Sequence, residues 1–147
     1  MRRFGMGAGL LLLVLSAAAY AQKKGDKKGA DKPIDDPAKQ CEQMLARVQK
    51  GDKQASETFE GQFLDKAIAD QLNKELPGLI KNAASDGKAM GVELAAQQTF
   101  GEAFLKLTYL AKYERGAISW TFLFYKPQDK WFVYSVTFTG DIAALLQ

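Results

Sequence analysis

From residue 37 onward the apolar positions recur first at helical spacing and then alternate. Cys41, Met44, Leu45 and Val48 fall on one face of a helix. Asp36 followed by Pro37 supplies an acidic N-cap and a proline at the first helical position, and Gly51 supplies the stop. A second helical region follows, with Ala55, Phe59 and Phe63 at spacing four, continuing through Ala67, Ile68, Leu72, Leu76, Leu79, Ile80 and Ala83. Proline inside a helix costs about 3 kcal/mol, so Pro77 predicts a kink or break near Leu76, and Gly61 marks a second interruption.

After Gly87 the period becomes two. The stretches AMGVELAAQQTF (89–100), AFLKLTYLAKYE (103–114), AISWTFLFYK (117–126) and KWFVYSVTFT (130–139) read as four strands, with turns at Gly101, Arg115-Gly116 and Pro127-Gln128-Asp129. DIAALL then begins a short terminal helix or tail. Helices first and an antiparallel meander second define an α+β class, with the helical stripe laid on a curved four-stranded sheet.

A two-residue loop at Arg115-Gly116 sets Tyr113 opposite Ile118, Ala111 opposite Trp120, Tyr109 opposite Phe122 and Leu107 opposite Phe124, all on one face. The other face receives Lys112 with Ser119, Leu110 with Thr121, Thr108 with Leu123 and Lys106 with Tyr125, and its mixed polarity marks it as the more exposed. Burying a large apolar side chain is worth roughly 1.5 to 3 kcal/mol. An odd-length turn around Gln128 and Asp129 is therefore expected, placing Tyr134, Val136 and Phe138 with Trp120, Phe122 and Phe124. That register leaves Leu123, Tyr125, Trp131 and Val133 together on the outer face, where a monomer has no need of large apolar groups. The patch reads as a dimer surface, a partner surface or the place where the N-terminal segment docks.

The chain before the first helix divides in two. Arg2 and Arg3, the apolar run from Leu10 to Leu15 and the small-residue end Ala19-Tyr20-Ala21 form a secretory signal peptide over residues 1–21, cleaved after Ala21. The competing reading, a membrane anchor, needs about 20 apolar residues, more than this run provides. Gln22 stands where a lipoprotein would carry Cys. Residues 22–36, rich in Lys, Gly and Asp, read as a flexible leader, because they hold no apolar residue before Ile34 apart from Ala30 and Pro33 to offset ordering entropy. Lys23, Lys24, Lys27 and Lys28 offer an alternative role as a basic tether, which the neighbouring aspartates weaken. Residues 37–147 then form a single domain, in a periplasmic or secreted protein with no stable membrane span after cleavage.

Charge and composition narrow the chemistry. Removing Arg2 and Arg3 leaves 18 basic against 17 acidic residues, and from Cys41 onward the count is 12 against 13, so no basic face for nucleic acid is expected. The sequence holds no His, which excludes Ser-His-Asp, Cys-His and His-bearing zinc sites. Its single cysteine, Cys41, lies on the buried helical stripe and reads as a small core residue that forms no intramolecular disulfide. Neither a metal nor another cofactor is expected.

The helical stripe ending at Gly87, the Gly-bounded strand MGVELAAQQTFG, the strand LTYLAKYE and the turn FYKPQDKW at Phe124 to Trp131 together resemble the nuclear transport factor 2-like, cystatin-like group of α+β folds. Within that group the chain is similar to uncharacterised exported proteobacterial proteins with a Tyr-Lys-Pro turn before a Trp. The resemblance implies helices packed into a strongly curved sheet and says little about activity, since the group hosts enzymes, carriers and interaction modules.

Three functions follow as expectations. The first is a non-enzymatic periplasmic domain that binds a small apolar ligand, with Tyr109, Tyr113, Trp120 and Tyr134 lining a concave pocket, or binds an envelope protein. The second, implied by the resemblance, is an enzyme of the ketosteroid-isomerase or cyclase kind. It lacks an evident base: Glu102, Glu114 and Asp129 lie at turns, and Glu93 alternates as a solvent-facing residue. The third is an interaction or inhibitor module, or a homodimer, acting through Leu123, Tyr125, Trp131 and Val133.

Overall fold

The computed structural model of the chain describes residues 30–146; the expected signal peptide, residues 1–21, and residues 22–29 of the expected leader lie outside the described residues. Helix α1 spans Pro37–Gln49, a 3-10 turn spans Ala55–Phe59 and helix α2 spans Lys66–Ala84. Four strands follow, β1 (Ala89–Phe100), β2 (Phe104–Tyr113), β3 (Gly116–Tyr125) and β4 (Phe132–Thr139), then a one-turn helix α3 (Ile142–Leu145). The strands form one antiparallel sheet in the order β1-β2-β3-β4. This is the expected α+β class, with helices preceding a meander.

Helix α1 starts where its cap residues place it. The Asp36 carboxylate accepts the Lys39 N–H at 3.2 Å, and Pro37, Cys41, Met44, Leu45 and Val48 form its buried face. Gly51, at φ +84°, lets the chain reverse. Arg47 then holds the following loop, donating to Asp52 at 2.8 Å, to the Thr58 hydroxyl at 3.0 Å and to the Gln54 carbonyl at 3.1 Å. The interruption expected at Gly61 is present, between the 3-10 turn and α2. Helix α2, by contrast, continues through Pro77. The carbonyl that Pro77 leaves without its N–H partner is that of Asn73, an exposed residue, so water can satisfy it.

Two details of register differ from expectation. The hairpin between β2 and β3 turns at Glu114-Arg115, so Tyr109 pairs with Trp120, Leu107 with Phe122 and Ala111 with Ile118. A shift of two residues leaves every side chain on its predicted face. The second difference does not. A one-residue bulge in β4 pairs Leu123 with Ser135 but Phe124 with Val133, passing over Tyr134. Val136 and Phe138 are buried as expected, while Val133 turns into the core and Tyr134 turns out. The bulge exchanges the two because Val133 fills the site beside Phe124, leaving the tyrosine to the half-solvated face.

The fold also begins earlier than residue 37. Ile34, the first large apolar residue after the lysine-rich stretch, is buried, and its N–H donates to the Trp131 carbonyl at 2.9 Å. Asp31 and Lys32 donate backbone N–H groups to the Gly61 carbonyl, and the Gln62 amide reaches the Pro33 carbonyl at 3.0 Å. The expected flexible leader is therefore anchored from Asp31 onward. The same segment, with the parallel bridge of Phe63 to Val133, covers the outer edge of β4.

Candidate functional site

The concave face of the sheet is occupied. Tyr109, Trp120, Phe122 and Phe124 have no solvent exposure, and Phe59 lies over Phe122 and Phe124 at centroid distances of 5.9 and 6.1 Å. Met44, Leu45, Leu72 and Leu76 close the layer from the helical side. Of the residues expected to line a pocket, Tyr109, Tyr113 and Trp120 are thus core. The helices fill the concavity that an open pocket would need. Tyr134 is on the other face of the sheet.

The chemistry of these buried groups is muted by their surroundings. The Tyr109 hydroxyl stands 3.3 Å from the Ala38 carbonyl and from a Glu42 carboxylate oxygen, and burial, with Cys41 and Glu42 adding, pushes its pKa well above the usual phenol range. Burial likewise raises the Cys41 thiol, Glu42 again adding, so it stays protonated and unreactive at neutral pH. Trp120 Nε1 meets no acceptor among the described residues. Glu93, Glu102, Glu114 and Asp129 do not converge: Glu93 pairs with Lys112 at 3.0 Å on the outside of the sheet, and Glu114 accepts the Lys88 N–H at 2.9 Å. No group of three or more His, Cys, Asp or Glu suited to a metal ion occurs among the described residues.

The outer face gathers aromatics instead. In register, Phe100 pairs with Phe104, Phe104 with Tyr125 and Tyr125 with Phe132, so a row of rings crosses all four strands at one end of the sheet. Phe104 stacks on Tyr125 at 4.8 Å, and Tyr134 meets both rings edge-on at 5.1 and 5.8 Å. Phe104, Tyr125, Phe132 and Tyr134 are half-buried and Phe100 is exposed. Of the patch expected from sequence, Leu123 and Tyr125 belong to this face. Val133 is in the core for the reason given above. Trp131 is half-buried at the rim, paired through its backbone with Ile34 and covered by Lys126 Nζ at 4.7 Å from the ring centre. The part of the patch at Trp131 is therefore where the N-terminal segment docks.

Phe100, Phe104 and Phe132 were not among the sequence candidates. Each sits at a strand end beside a turn, where alternation is read least securely. The signal was their cross-strand spacing about Gly101 and Pro127, which becomes readable only once both turn lengths are known. A shallow cleft of about 390 Å³ lies elsewhere, on the helical side, between the 3-10 turn and α2, with Phe63 at its base and Glu57, Glu60, Lys66 and Asp70 on its rim. It shares no residue with the aromatic row.

Comparison with solved structures finds a Campylobacter jejuni protein described as an NTF2-like transpeptidase, matching with a TM-score of 0.52 over 68% of this chain and 98% of that one. The fold is NTF2-like. Sequence identity to that protein is 13%, so the likeness concerns architecture. No family model and no curated protein matches the sequence. The resemblance drawn from the strand and turn pattern is thereby met by an independent structural likeness, in helices first and antiparallel sheet second. No helix among the described residues is long and apolar enough to cross a membrane.

Proposed function

We propose that this chain is an exported, non-catalytic domain of the NTF2-like fold that binds a protein partner in the cell envelope through its outer aromatic row. The observation that carries the reading is the contrast between the two faces. On the concave face, rings and helices are closed on one another, and a small apolar ligand there would have to displace Phe59 or the residues around it. On the outer face, Phe104, Tyr125, Phe132 and Tyr134 remain half-exposed in a continuous row. Tyr is enriched at binding hot spots, because its ring is large and rigid and its hydroxyl tolerates both water and contact. Lys106, which pairs in register with Leu123, stands beside the row and favours a partner with an acidic rim.

The neighbouring structure's name suggests acyl transfer. Such chemistry needs a nucleophile beside a base. The absence of His from the sequence and the burial of its one thiol on the inner face of α1 support a binding role in preference. Export rests on the pattern of residues 1–21, and N-terminal sequencing of the purified protein should begin at Gln22.

Site-specific photocrosslinking in the source cells tests the reading. A photoreactive phenylalanine at Tyr134 should give a discrete envelope adduct that is absent when the probe replaces Ala69 on the helical side. Adducts of equal pattern from both positions, or none from Tyr134, would count against the outer face as the binding surface.

A further inference from the structure

The two edges of the sheet are treated differently. The β4 edge is covered by Ile34 and by Phe63, whose neighbours Gln62 and Leu64 exchange backbone hydrogen bonds with Val133 at 2.8 and 3.0 Å. The β1 edge has no such cover among the described residues, although β1 is the longest strand, 12 residues and so about 40 Å. Exposed edges are usually protected by lysine, proline or brevity. Strand β1 contains no Lys, Arg or Pro, and its single charge, Glu93, is engaged by Lys112. Every residue from Glu93 to Phe100 is exposed, Phe100 at 79%.

We infer that β1 pairs antiparallel with β1 of a second copy of this chain, joining two four-stranded sheets across a twofold axis. The inference goes beyond the partner surface proposed above and uses a different part of the sheet. It is carried by the strand's self-complementarity. Pairing with β2 places Gly91, Glu93, Ala96, Gln98 and Phe100 on the outer face and Val92, Leu94, Gln97 and Thr99 on the inner face, the alternation being offset by the extra residue Ala95. A dyad between Ala95 and Ala96 sets Gly91 opposite Phe100, Val92 opposite Thr99, Glu93 opposite Gln98 and Leu94 opposite Gln97 of the second copy. Every pair then joins residues of the same face, and each occurs twice.

The chemistry of the pairs agrees with the register. A side-chain atom added at Gly91 would meet nothing within 4 Å, so space is open over this glycine, and the exposed Phe100 ring of the second copy would cover it. Gln98 donates an amide to Glu93 across the strands. The bulged Ala95 meets Ala96 of the second copy beside the dyad, where small side chains let the backbones approach. A strand without Lys, Arg or Pro has little to repel a like neighbour, and in this register its one carboxylate, Glu93, faces an amide rather than the carboxylate of the second copy.

Gln98 supplies a test in which fold and association move in opposite directions. Within the protein Gln98 pairs with Lys106, whereas across the dyad it faces Glu93. Sedimentation of the purified protein across the micromolar range should show a dimer. Gln98→Glu should weaken it and Gln98→Lys tighten it, each by about two- to thirtyfold in Kd from two equivalent cross-strand pairs. Melting of the monomer should shift the other way, since a carboxylate at this position would attract Lys106 and an ammonium would repel it. A wild-type protein that stays monomeric up to about 0.1 mM, a range in which only weak association remains, would overturn the inference. So would a dimer that responds to both substitutions alike or to neither.

Discussion

Phe122 and Thr121 are adjacent in sequence and point to opposite sides of β3. Phe122 is fully buried between Trp120, Phe124 and Phe59, with ring centroids 6.0, 6.3 and 5.9 Å away, while Thr121 faces Thr108 across the outer surface. Removing a buried phenyl ring leaves a cavity that its neighbours only partly fill, so Phe122→Ala should destabilise by about 3 to 5 kcal/mol in a denaturant titration. Thr121→Ala, which loses little burial, should cost far less. Equal losses would mean that the division of faces is wrong. At this scale the alternation of β3 was legible because its apolar and polar residues differ strongly in transfer free energy. The alternation of β4 was not, because Val133 and Tyr134 are both acceptable on either face. Only the packing of Val133 beside Phe124 decides between them.

Elements were legible where a local cause fixes them. Asp36-Pro37 starts α1, Gly51 and Gly87 end helical stretches with positive φ, and the four strands fall within two residues of their expected limits. What escaped was set at long range. The loop length between β2 and β3 depends on how Arg115 and Glu114 clasp the end of α2, through Arg115 N–H to the Asp86 carbonyl at 2.8 Å and the Arg115 guanidinium to the Ser85 carbonyl at 2.8 Å. The docking of residues 31–34 likewise depends on partners about 30 and 97 positions away. Ile34 contributes the only large apolar side chain of that segment, so Ile34→Asp should release it. Limited proteolysis with a broad-specificity protease should then cut between Asp31 and Asp36 faster than in the wild-type protein while the sheet stays folded. Unchanged cleavage would show that the backbone bonds to Gly61 and Trp131 hold the segment without the side chain.

The whole molecule has a sealed side and an open side. Helices α1 and α2 and the 3-10 turn close the concave face, the usual place for a ligand in a cup-shaped sheet. What is left to meet other molecules is the outer aromatic row and the open β1 edge. Four tyrosines of the described residues report on this division: Tyr109 and Tyr113 on the closed side, Tyr125 and Tyr134 on the outer side. Tyrosine nitration, mapped by mass spectrometry in the purified protein and again in intact cell envelopes, reads both halves of the claim at once. The purified protein should be modified at Tyr125 and Tyr134 and spared at Tyr109 and Tyr113, and the two outer tyrosines should become protected in the envelope. Modification of Tyr109 in the purified protein, or outer tyrosines equally reactive in both settings, would contradict it.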